Sequence, residues 1–82
     1  MSRARRTYDL VVGSVGVVPF RDLQHLLGRL AFELDRVSGS HHIYVHPNVP
    51  RPLNVQPIGK DAKPYQVRQL RDMIVEFGLE VD

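Results

Sequence analysis

Three of the four histidines in this 82-residue chain fall within six positions: His41, His42 and His46 in Ser40-His41-His42-Ile43-Tyr44-Val45-His46. Imidazole supports two kinds of chemistry, metal ligation and proton transfer near neutral pH. The run alternates like a strand, so His41 and His42 point to opposite faces. His42 and His46 share a face but lie about 13 Å apart at roughly 3.3 Å per residue. Zinc takes nitrogens about 2.0–2.1 Å from one centre, so these two cannot close on it. His25 stands on a helical segment with no chelating companion. The absence of cysteine excludes disulfides, cysteine-ligated zinc and iron–sulfur clusters. The sequence therefore predicts no metal and no cofactor, and directs attention to proton transfer.

For that chemistry the face occupied by His41 matters, and the preceding turn sets it. A two-residue Ser38-Gly39 loop would ask serine for a left-handed backbone. A three-residue Val37-Ser38-Gly39 loop asks it only of glycine. The second register pairs Arg36 with Ser40. It places Tyr44 beside Phe32 and His42 beside Leu34 on the core face, and His41 opposite Asp35 on the open face, with Glu33 opposite Ile43. A histidine with a carboxylate beside it can take and give a proton. RNA cleavage needs a base for the 2′-hydroxyl, donors for the charged phosphorane and an acid for the leaving oxygen. His41 is thus a candidate catalytic residue, with Asp35 and Ser40 as candidates to orient or support its ring, against the more common case of an ordinary surface or rim histidine on a strand. Ile43 and Val45 share its open face and are expected to meet a partner, since exposed apolar groups often mark an interaction site.

A second cluster, Gly59-Lys60-Asp61-Ala62-Lys63-Pro64, leads into a helix. Unpaired N–H groups and the positive dipole end lie at such a start, with Lys60 and Lys63 beside it. This makes them candidates for holding a phosphate, such as that of RNA, against the more common case of a solvated lysine pair in a loop. The spacing is not that of a Walker motif.

The surrounding pattern supplies the elements. Phe20, Leu23, Leu26, Leu27 and Leu30 fall at helical spacing after Pro19. Gly28 on this helix is unfavourable by roughly 0.5–1 kcal/mol against alanine if interior. Phe32 and Leu34 begin a first strand, Ser40 to His46 form a second, Pro47 to Pro52 a loop, and Leu53 and Val55 a third strand. Pro57 to Lys63 read as another loop. Pro64 opens a helix carrying Val67, Leu70, Ile74 and Phe77, ended by Gly78, with Leu79 packing back. The expected fold class is α+β: helix, three-stranded antiparallel meander, helix, both helices on one face of the sheet.

Residues 1–18 are expected to be an N-terminal extension, disordered or loosely attached, and 19–82 the folded domain. The extension is basic up to Arg6, then valine-rich and strand-prone. It carries Arg3, Arg5, Arg6 and Asp9, a net +2, which accounts for the whole excess of 11 basic over 9 acidic side chains. Any RNA contact by the body must therefore rest on local clusters. Gly13, Ser14 and Gly16 interrupt the apolar stretch, so a secretory signal is not expected, and no segment has the length of a membrane span. A cytoplasmic location is expected.

Gly39-Ser40-His41-His42-Ile43-Tyr44 followed by His46-Pro47 resembles the G-S-H signature strand of HicA-type (YcfA-like) toxins. Phe32-Glu33-Leu34-Asp35-Arg36-Val37-Ser38 resembles the segment before it. Leu53-Asn54-Val55-Gln56-Pro57 and Gly59-Lys60-Asp61-Ala62-Lys63-Pro64-Tyr65-Gln66 resemble the third strand and second-helix entry. The resemblance runs from about Phe20 to Leu79. It implies a double-stranded-RNA-binding-like α-β-β-β-α fold. It also implies a metal-independent, ribosome-independent endoribonuclease acting on mRNA, and a HicB-type antitoxin that covers the active site. The catalytic histidine directly after Gly-Ser is His41 here. No DNA or membrane contact by this subunit is expected. The family commonly has glycine where this chain has Ala31, so a left-handed backbone there would make alanine costly. The competing readings are a non-catalytic RNA-binding module of the same fold and a protein-binding adaptor that uses the open sheet face.

Overall fold

The computed structural model describes residues 2–14 and 16–81. Met1, Val15 and Asp82, which fall within the expected segments 1–18 and 19–82, lie outside the described residues. The elements run α1 (Arg3–Gly13), α2 (Phe20–Arg29), β1 (Glu33–Ser38), β2 (His41–His46), β3 (Val49–Val55), β4 (Pro57–Ile58), β5 (Asp61–Ala62) and α3 (Pro64–Phe77). The order β1-β2-β3 forms an antiparallel meander, and β4 and β5 form a separate small hairpin. The fold is α+β, with helix, meander and helix in the expected order.

The apolar stripe of α2 buries Phe20, Leu23, Leu26 and Leu27, and that of α3 buries Val67, Leu70, Met73 and Ile74. Both helices lie against the same face of the meander. From α2, Phe20 meets the His42 ring edge-on at 5.0 Å, and Gln24 donates to the Tyr44 hydroxyl at 3.3 Å. α3 packs along β3, where Arg51 pairs with Glu76 at 2.8 Å. The α3 stop at Gly78, in left-handed backbone at φ 62°, lets Leu79 return its N–H to Ile74 and bury its side chain.

The end of α2 turns into β1 through a left-handed residue. Ala31 has φ 73°, its N–H donates to Gly28 O, and the Phe32 N–H donates to Leu27 O. These are the two bonds of a Schellman ending, in which glycine is the usual left-handed residue. Leu30 O accepts from His46 Nε2 at 2.8 Å, while His46 Nδ1 accepts from the Asn48 N–H at 3.0 Å. Phe32 stands edge-on to the same ring at 4.9 Å. His46 thus ties the end of α2 to the turn after β2.

Four expectations are corrected. Residues 3–13 are a helix, not a loose tail or a strand: α1 packs on α2 and α3 and buries Ala4, Thr7 and Val11. Arg3 pairs with Asp22 at 2.9 Å, and Arg71 donates to Ser14 at 2.6 Å, holding both ends. Tertiary packing overrides the strand preference of its valines. The β3 strand starts at Val49, because the His46–Asn48 bond closes a tight Pro47-Asn48 turn and pairs His46 with Val49. The loop before α3 holds the β4–β5 hairpin, turned at Gly59 with φ 61°. The β1–β2 turn is Gly39-Ser40, with φ 60° at Gly39 and Ser38 paired to His41. Glycine at the first central position fits a type II′ hairpin, which makes no left-handed demand on serine.

Candidate active site

The two-residue turn shifts every β1 partner from the expected register, by three residues as far as Arg36 and by two beyond a bulge between Leu34 and Arg36. Tyr44 and His42 therefore lie across from Leu34 and Val37, and not from Phe32 and Leu34. The cross-strand pairs are Val37 with His42, Arg36 with Ile43, Leu34 with Tyr44 and Glu33 with Val45. The faces of β2 stay as expected. Tyr44 and His46 are buried under the helices, whereas His41 is exposed and Val45 is 40% exposed. Ile43 is half-buried on the His41 face, between Arg36 on β1 and Asn54 on β3.

His41 meets β3 through one ring nitrogen. Its Nδ1 lies 2.9 Å from Asn54 Nδ2 and 3.2 Å from Asn54 Oδ1. Its Nε2 makes no hydrogen bond among the described residues. The ring is therefore held at one nitrogen by the sheet and open at the other, as a proton-transfer group requires. Ser38 is directly across from it, and Arg36 is its diagonal neighbour on an edge strand whose every residue is exposed.

The other histidines have different surroundings. His42 Nδ1 donates to Ser40 O at 3.0 Å, on the helix-covered face. His46 has both nitrogens engaged in the latch described above. No group of three or more His, Cys, Asp or Glu among the described residues could hold a metal ion.

Among known proteins, the family model described as "HicA toxin of bacterial toxin-antitoxin" matches residues 20–78. The chain belongs to the HicA toxin family. No curated protein and no solved structure matches it. As a HicA toxin it is one half of a toxin–antitoxin pair and has a cognate antitoxin as partner. The match starts at α2, so α1 lies outside it. No helix among the described residues is long and apolar enough to cross a membrane.

Two site expectations change with the register. Asp35 sits at the bulge rather than opposite His41, and it is exposed, with no hydrogen bond or ion pair among the described residues. Ser40 occupies the turn and gives its carbonyl to His42, not to His41. The lysines are tied to the helix starts. Lys60 O accepts the Phe20 N–H at 2.8 Å, which caps α2 in place of a side chain. Lys63 is the N-cap residue of α3, and its ammonium lies 5.5 Å from the Tyr65 ring centre. Neither lysine contacts His41 among the described residues.

The sequence reading missed Asn54, Arg36 and Gln66. Alternation along Leu53-Asn54-Val55 does put Asn54 on the His41 face, so its signal was present. Arg36 reaches the open face because the turn is Gly39-Ser40, which pairs it with Ile43. Gln66, 1% exposed, accepts the Gln56 N–H at 2.7 Å and clamps the end of β3 to α3. Nothing in the pattern marked that glutamine as buried.

Proposed function

We propose that this HicA toxin is a metal-independent endoribonuclease that cleaves mRNA with His41 and is neutralised by a HicB-type antitoxin in the cytoplasm. The observation that supports it best is His41 itself: an exposed imidazole on the uncovered sheet face, anchored at Nδ1 and open at Nε2. In this reading Nε2 takes the proton of a ribose 2′-hydroxyl, and the 2′-oxygen attacks phosphorus. The P–O5′ bond breaks, and the 5′-oxygen takes a proton from the imidazolium or from water. The products are a 2′,3′-cyclic phosphate and a 5′-hydroxyl.

Arg36 lies on the same face as a diagonal neighbour, about 7–8 Å away by sheet geometry, and would meet the phosphate. Lys60 and Lys63 would hold RNA phosphates further along. Ile43 and Val45, beside His41, would be covered by the antitoxin, which then denies RNA access without moving the toxin.

The test is cleavage of single-stranded RNA by purified protein in excess chelator, with His41→Ala beside it. Cleavage by the wild type and none by an equally folded His41→Ala supports the reading. RNA binding without cleavage by the wild type would instead support a binding module, and cleavage by His41→Ala at the wild-type rate would remove His41 from the mechanism.

A further inference from the structure

We propose that Asn54 is the positioning residue of His41, a role that rests on His41 acting as described above. Asn54 is the cross-strand partner of Ile43, so its side chain reaches His41 diagonally across the open face, where it lies half-buried. Both of its amide heteroatoms lie within 3.2 Å of the same ring nitrogen, Nδ1. Turning the ring over to present Nδ1 to substrate would break this contact. The sheet therefore selects Nε2 as the reacting nitrogen.

The carboxamide also suits both states of the ring. With Nδ2 donating to Nδ1, the neutral ring carries its proton on Nε2. A half-turn of the amide exchanges the two atoms, and Oδ1 then accepts from Nδ1–H. That leaves the Nε2 lone pair free for the 2′-hydroxyl proton. The imidazolium formed keeps the same bond, because Nδ1–H still donates to Oδ1. The Oδ1 orientation is thus the working one, and it serves both sides of the transfer. Asn54, reaching over from β3, takes the place that the sequence pattern assigned to Asp35 on β1. An amide orients the ring without adding a second charge to a face that must receive phosphate.

The test uses the full chain with ¹⁵N-labelled histidine, comparing wild type with Asn54→Leu, Asn54→Ala and Asn54→Asp. In Asn54→Leu the Nδ1 resonance of His41 moves while those of His42 and His46 stay. Displacing a reacting group by about 1 Å costs up to about a hundredfold, so kcat should fall roughly ten- to a hundredfold with KM little changed. Asn54→Asp keeps the acceptor and restores most of kcat. Asn54→Ala deletes the amide with no added bulk and gives the same readouts should leucine disturb the sheet. An unmoved Nδ1 resonance overturns the contact, and a moved resonance with wild-type kcat overturns the positioning role. If His41→Ala cleaves RNA normally, the reading of His41 falls and the role falls with it, while the resonances still decide the contact.

Discussion

Replacing Ala31 by glycine should make this protein more stable. Ala31 holds φ 73° at the left-handed position of the Schellman ending of α2. A Cβ in that conformation crowds the following carbonyl, at about 1–2 kcal/mol relative to the right-handed region. Glycine removes the clash but enlarges the conformational freedom of the unfolded chain, which takes back about 0.4–1 kcal/mol. The two bonds of the ending, Ala31 N–H to Gly28 O and Phe32 N–H to Leu27 O, need only backbone and are kept. The net gain is about 0.5–1 kcal/mol, or roughly 2–8 °C in Tm for a domain of this size. A thermal melt followed by circular dichroism, with a urea titration at 25 °C, reads it directly. Ala31→Val in the same assays should lose stability, since a β-branched residue is worst placed in the left-handed region. An Ala31→Gly variant no more stable than the wild type would refute the strain at α2's end.

His46→Ala should destabilise by about 2–4 kcal/mol, because it empties a buried ring site and leaves Leu30 O and the Asn48 N–H without their partner. The urea midpoint reads this, and a loss under about 1 kcal/mol would mean the latch contributes little. Ile43→Asp in a His41→Ala background should weaken antitoxin binding at least about tenfold, as truncation of a central apolar contact does, while leaving the melt near that of His41→Ala. Titration of the antitoxin checks it, and unchanged affinity would place the docking surface elsewhere.

The faces of β2 were legible because alternation in Ser40 to His46 is strict, and no turn length that keeps Tyr44 inward can put His41 there too. Its neighbours were not legible. Between Gly39 and Asp35 the register depended on where glycine sat in the turn and on a bulge that leaves no mark in the Glu33–Ser38 pattern. The turn both moved Asp35 away and brought Arg36 onto the His41 face, and the bulge then set the partners of Leu34 and Glu33. The same limit applied to α1. Ala4, Thr7, Tyr8 and Val11 do fall at helical spacing, yet one is a threonine and one an alanine. Leu10 and Val12, as apolar as Val11, are exposed at 36% and 39%. Only the surfaces of α2 and α3, which no pattern in the first residues describes, explain which face of α1 is buried.

The position of α1 bears on function through what it leaves bare. A meander of this size with two helices has a thin core, and a third helix could enlarge it from either side. Placed on the open face it would have covered Ile43 and Val45 and closed the site. Instead α1 packs on α2 and α3, where Ala4 and Val11 join the cluster that holds Leu23, Leu26 and Leu70. The added burial falls on helices already turned away from His41. The outer sheet face therefore keeps its exposed histidine and its half-exposed apolar neighbours at little loss to the core. A surface of that kind is poor for an isolated monomer and suits the antitoxin docking proposed above.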